Sequence, residues 1–192
     1  MKSLIIKLDQ WKSMMFEELD ETTRKYMLGE FQKEEKSGNP YRSNRMSAEG
    51  LANIARHMED AIKNGNEDTL AASISDGKYW NQYETRRRKD TTYQVEIDPI
   101  VAAKVLALTE FNTWYVHGLA KRLMEEGQKE CEIYRAELAD QPRCECSRYE
   151  GQKLELQKIY DGHRAKYHPT PNYSAFSIPS GPSCHHTIRK IK

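Results

Sequence analysis

Asp98-Pro99-Ile100-Val101-Ala102-Ala103-Lys104-Val105-Leu106-Ala107-Leu108-Thr109-Glu110-Phe111-Asn112 begins the stretch that decides the fold. Asp is a favoured helix cap, and Pro in the first turn gives up an N–H that no helical carbonyl would have used. Apolar residues recur through Val101, Val105, Leu108, Trp114, Leu119 and Met124, and Glu126-Gly127 is a stop. The spacing predicts one long helix, with a break near Gly118. Beyond Gly127, Glu130-Cys131-Glu132-Ile133-Tyr134-Arg135-Ala136 alternates polar and apolar, the pattern of a half-buried strand. Cys131 would share the pleat side of Ile133 and Arg135, as a structural thiol rather than a nucleophile.

Upstream the pattern is helical. Leu8, Trp11, Met15, Leu19, Thr22 and Tyr26 recur at three- and four-residue steps, predicting a helix from Leu8 to Phe31. Lys36-Ser37-Gly38-Asn39-Pro40 ends it, and a polar linker runs to Met46. Ser47 caps a second helix with Leu51, Ile54, Ala55, Met58, Ala61 and Ile62 on its apolar face, closed by Asn64-Gly65-Asn66. A third is expected from Glu67 to about Arg88, and β-branched Thr91–Ile97 reads as a strand or extended arm. Helices first and a small β-rich unit last mean α+β: N-terminal amphipathic helices, then a long helix packed on a β-rich C-terminal unit. The division expected is a helical assembly or docking region over 1–90 and an α+β domain over 91–192.

Of 192 residues, 31% are charged and only 38% hydrophobic, with mean hydropathy -0.89. That is thin for a self-sufficient globule and suits a protein that completes its core with neighbouring copies. A net charge of +1 leaves no global footprint for nucleic acid. The strong basic run is Arg86-Arg87-Arg88-Lys89, whose four residues are candidate DNA-phosphate contacts if they are more than a solvated face. No apolar run approaches the roughly 20 residues of a membrane span. The first residues lack a secretory pattern, so the cysteines are expected as thiols or ligands rather than bridges.

Three of the four cysteines and four of the six histidines fall between Cys144 and His186. Cys144, Cys146, Cys184 and His186 are candidate Zn²⁺ ligands, with His163 and His168 as substitutes. Strong zinc motifs place two residues between paired cysteines, and here there is one. The alternative is a set of buried polar side chains locking a β turn through hydrogen bonds. A cysteine–histidine dyad is disfavoured because neighbours in extended chain point to opposite faces. Asp161 beside His163 could be an acid/base pair or an Asp-Gly turn, and the prolines after His168 count against the ββα unit of a His-metal nuclease.

Several of these pieces lie in the order of a known family. Thr109-Glu110-Phe111-Asn112 sits in the long helix, Gly127 precedes the strand, and Cys146-Ser147-Arg148-Tyr149-Glu150-Gly151 forms a cysteine and acidic-Gly turn. Pro182-Ser183-Cys184-His185-His186 closes the chain. Over residues 98–192 this resembles the Mu F-like phage head-morphogenesis (minor capsid) domain. The family's paired cysteines are two residues apart, its closing His corresponds to Gly181, and its last Cys corresponds to His186. The resemblance implies a non-enzymatic structural protein of a tailed phage or prophage, assembled in the host cytoplasm and acting in head assembly at or near the portal vertex of the virion. Its implied partners are portal, capsid or other virion proteins, further copies of itself, and packaged DNA contacted non-specifically, with no membrane. Thr109, Glu110, Asn112 and Gly151 would be structural; His in place of the last Cys keeps a metal ligand available, so Zn²⁺ stays an option beside a site with no cofactor. Competing readings are a neck, adaptor or tail component, and a small metal-dependent nuclease or hydrolase of the toxin kind using His163, His168, Cys184 and His186.

Overall fold

The computed structural model describes residues 13–137 and 145–191, and of residues 145 and 146 the backbone alone. The fold is α+β, helices first and short strands last. Its centre is α4 (Pro99–Glu125), 27 residues long and so about 40 Å end to end. Asp98 accepts the N–H groups of Ile100 and Val101 and Pro99 takes the first turn. Between Ala107 and Ala120 the helix is buried on every side, polar Thr109, Glu110, Asn112 and Thr113 included. A helix covered all round belongs in the middle of a fold. The break expected near Gly118 does not occur. Gly118 serves closeness instead: a Cβ there would stand 2.6 Å from the Met27 nitrogen, so only glycine lets α1 (Glu21–Lys36) cross at backbone contact.

The first helix is a correction. It begins at Glu21 rather than Leu8, because Asp20 turns back to accept the Thr23 N–H. Ahead of it Met14 is buried, Met15 exposed and Phe16 half-buried, the two-residue alternation of extended chain. Leu8 and Trp11 lie outside the described residues. The stop after Lys36 is where Gly38 takes a left-handed φ of 81°. The second helix, α2 (Ala48–Asn64), carries its Ser47 cap and buries Ile54, Met58, Ala61 and Ile62.

The third expected helix is a larger correction. Only α3 (Glu67–Ser73) is helical, followed by a 3₁₀ turn at Gly77–Tyr79 and then β1 (Tyr83–Arg88). Trp80 closes the helix early by burying its ring and donating Nε1–H to the Ile74 carbonyl at 2.7 Å. β1 pairs antiparallel with β2 (Thr91–Glu96), Arg86 opposite Tyr93 and Arg88 opposite Thr91. Cross-strand partners outrank the helix preference of an Arg-rich run, since strand preference is set by neighbours.

The C-terminal sheet has the order β4-β3-β5, with β3 (Glu130–Arg135) between β4 (Lys153–Glu155) and β5 (His186–Arg189), all antiparallel. A short helix, α5 (Leu156–Asp161), follows β4. Cys131 and Ile133 are fully buried, and burial pushes the Cys131 thiol up to about 12, consistent with an inert packing group. The chain before α1 is stitched to this sheet. Met15 N–H donates to the Ala136 carbonyl at 3.0 Å, Tyr134 O–H donates to the Met15 carbonyl at 2.6 Å, and Arg189 bridges Glu17 and Glu132. One hydrophobic core runs from Met27 to Ile188, across residue 90. Among the described residues no helix is long and apolar enough to cross a membrane.

Candidate functional site

The long helix presents polar side chains to the returning C-terminal chain. Asn112, wholly buried, donates Nδ2–H to the His186 carbonyl at 2.9 Å and to the Cys184 carbonyl at 3.4 Å. One turn earlier Thr109 Oγ1 accepts the Ser183 N–H at 3.3 Å and donates to the Val105 carbonyl. These two residues hold the chain from Ser183 to His186, which has few backbone partners until β5 begins. Asn112 Oδ1 is buried with no partner among the described residues. Gly151 sits at φ 78° and donates its N–H to the Ile133 carbonyl at 2.7 Å, a turn open to glycine without strain. That turn carries Glu150, which accepts from His186 Nε2 at 3.0 Å and from Arg135 at 2.9 Å. Hydrogen bonding from Arg135, then His186, holds its carboxyl below the usual range.

Of the four candidate metal ligands, two are fully described. Cys184 Sγ stands 3.9 Å from His186 Nδ1, and both side chains are buried. Two ligands on a tetrahedral zinc with ordinary Zn–S and Zn–N lengths would stand about 3.6 Å apart. The other ring nitrogen of His186 meets a carboxylate, the arrangement that orients a metal-ligating imidazole. The pair therefore fits one edge of a zinc site. Cys144 lies outside the described residues, as does the side chain of Cys146, and the described residues by themselves bring together no group of three ligands. His185 points elsewhere, toward Glu137 at 3.5 Å.

A second constellation was not expected from the sequence. Arg164, buried, forms a bidentate pair with Glu110 at 2.6 and 2.9 Å and reaches Glu34 at 3.2 Å. Its guanidinium lies 4.9 Å from the Tyr41 ring and 5.0 Å from the Trp114 ring, between the two aromatics. The backbone there takes φ 54°, and a left-handed non-glycine costs about 1–3 kcal/mol unless its surroundings over-determine it. Beside it His163 contacts Glu34 at 3.1 Å and stacks on His117 at 4.0 Å, while His117 contacts Glu30 at 3.1 Å. Tyr160 donates to the same Glu30 oxygen at 2.7 Å. Burial drives His163 down to about 3, so it is neutral and donates to Glu34. Burial alone would raise Glu30 and Glu34, but hydrogen bonds from His117, Lys33 and Tyr160 bring Glu30 to about 2, and the His163 hydrogen bond with the Arg164 charge brings Glu34 to about 2. Asp161 takes no part; its Oδ1 accepts from Gln157. The one legible hint was Glu30, Glu34 and Glu110 on faces otherwise apolar.

The candidate DNA contacts lie on the β1–β2 hairpin rather than on a helix. Arg86, Arg87, Arg88 and Lys89 are all exposed, as is nearly all of both strands. Arg86 pairs with Glu84 on the same face, and Arg87 donates to the Lys89 carbonyl. At the base Glu84 meets Arg45 at 3.2 Å. No protein-family model matches this chain, and comparison with curated proteins and with solved structures finds no match.

Proposed function

We propose that the protein is a non-enzymatic structural protein of a tailed phage or prophage, acting in head assembly at or near the portal vertex. The observation that carries this reading is the β1–β2 hairpin: a ribbon exposed on both faces with four consecutive cations at its tip. An isolated two-stranded hairpin is marginal in water, so an arm of this kind gains its order from what it touches. Packaged DNA is the partner its charge suits, since cations on a ribbon meet phosphates without reading sequence. The helical body would dock on portal or neighbouring copies. The order of the Thr109, Glu150-Gly151 and Cys184 pieces along residues 98–192 supports the same reading through the resemblance they carry.

Co-expression with the portal protein of the same phage genome tests it. A complex that survives gel filtration is expected, and DNA binding whose salt dependence falls when Arg86, Arg87 and Arg88 become Gln. Plasmid cleavage with Mg²⁺ or Mn²⁺ that His163→Ala abolishes would overturn the structural role. Zn²⁺ belongs to this proposal as a staple held by Cys184 and His186 with Cys144 and Cys146, closing the C-terminal return rather than activating water. Metal-free purified protein, with stability unchanged by Cys146→Ser plus Cys184→Ser, would remove it.

A further inference from the structure

Away from the hairpin and the Cys184 corner, the 3₁₀ turn Glu145–Tyr149, α5 and the chain near Phe176 line an open cavity of about 210 Å³. Its wall contains three cations, Arg148, Lys158 and Lys166, and no carboxylate among the described residues. The half-buried arginines Arg42, Arg122, Arg135 and Arg189 and the buried Arg164 each meet an acid. Arg148 and Lys158 meet none among the described residues.

They are nonetheless placed. The Arg148 guanidinium lies 4.8 Å from the Tyr149 ring and the Lys158 ammonium 4.9 Å from the Phe176 ring. Tyr149 and Phe176 pack edge to face at 5.3 Å, so two rings locked together hold two charges at the cavity. Ring faces orient a cation without neutralising it, which leaves both charges for a ligand. Ser174, Ser177 and Ser180 line the same wall.

We propose that this cavity binds the phosphate group of a small phosphomonoester. Its volume is below the roughly 300 Å³ at which pockets begin to bury whole drug-sized ligands, so it suits the phosphate while the rest of the molecule stays at the rim. At that rim Tyr173, also lining the cavity, is 80% exposed. A free phenol ring there offers a stacking surface to a planar body such as a nucleobase. Inorganic phosphate and a nucleotide share the recognised group, and Tyr173 distinguishes them.

Calorimetric titration of the whole chain with inorganic phosphate and with adenosine monophosphate, at fixed ionic strength, tests the site. Saturable binding of phosphate is expected, weakened at least about tenfold by Arg148→Gln with Lys158→Gln, as charge-assisted hydrogen bonds are lost. Lys153→Gln, an exposed cation outside the cavity, should leave binding unchanged. If the nucleotide is the ligand it binds tighter than phosphate, and Tyr173→Ala removes that advantage alone; equal affinities assign the site to free phosphate. Absence of saturable binding, or equal weakening by Lys153→Gln, would overturn the proposal. All three cations replaced are on the surface, and unchanged melting curves confirm that the variants fold.

Discussion

The return of the chain from Gly162 to Arg189 and the hairpin from Tyr83 to Glu96 are both short of regular structure to lean on, yet they differ in how their polar groups are satisfied. In the return the buried arginine and imidazoles around Glu34 and Glu150 meet other protein groups. Arg164 is held by Glu110, Glu34 and two rings, His163 by Glu34 and His117, and His186 by Glu150. Among the described residues the hairpin pairs with itself, with Arg45 through Glu84 and with its backbone join at Gln82 and Ile97. A region that is internally satisfied adds to folding stability, and one that is not leaves its chemistry for a partner. The difference separates what holds this protein together from what it presents.

The hardest test of that contrast is Arg164→Ala. Removing one member of a buried ion pair leaves Glu110 charged and unpaired, and such losses cost about 3–5 kcal/mol. Urea unfolding should show a loss in that range, and a change under about 1 kcal/mol would mean the return is not the structural centre claimed. Asn112→Ala comes next. It strips the carbonyls of Cys184 and His186 of a buried donor, and orphaned buried groups cost about 1–3 kcal/mol. Because Asn112 also touches the chain beside Cys184, the same variant should speed modification of that buried thiol by a maleimide.

Acid provides a third test. His163 is faced by Glu34 from α1, by His117 and Trp114 from α4, and by Arg164 beside it. Its folded value is lowered to about 3, while an unfolded histidine titrates near 6.5. The unfolded chain therefore binds the proton first, so the stability from neutral His163 is present above pH 6.5 and is lost as pH falls toward 3. Between pH 7 and 5 the loss is up to about 2 kcal/mol. Glu30 and Glu34, lowered to about 2, add a further loss only below pH 4.5. Melting temperatures of wild type and His163→Gln across pH 5 to 7 check this: the variant should flatten the slope.

What could be read from the sequence was local. Asp98-Pro99 and Ser47 announce helix starts because a cap bonds within three residues of itself, and the alternation of Glu130–Ala136 needs only its own pleat. Thr91–Ile97 was legible as a strand and is β2, whereas β1 was misread because its identity depends on β2, and Arg86-Arg87-Arg88 suits a helix equally when β2 is ignored. The Arg164 cluster was missed for the same reason at longer range. Arg164 and Glu34 are 130 residues apart, and nothing near either one in sequence signals the other. The carbonyls that Asn112 holds follow only from where β5 lies.

The smallest expected effect falls on the hairpin and is the most telling. Replacing residues 83–96 by a short Gly-Ser linker removes fourteen residues that bury little against the body, so folding stability should change by no more than about 0.5 kcal/mol, as for surface changes. A hairpin bound to DNA should instead be protected from proteolysis, in proportion to the affinity of the complex. Limited proteolysis with and without a DNA duplex separates the two outcomes. Cleavage between Arg86 and Lys89 that is fast in the free protein and suppressed by duplex at low salt would show the arm to be ordered by its partner. If linker replacement instead costs several kcal/mol, the arm is part of the fold, and the contrast between a satisfied return and a presenting hairpin fails at its own test.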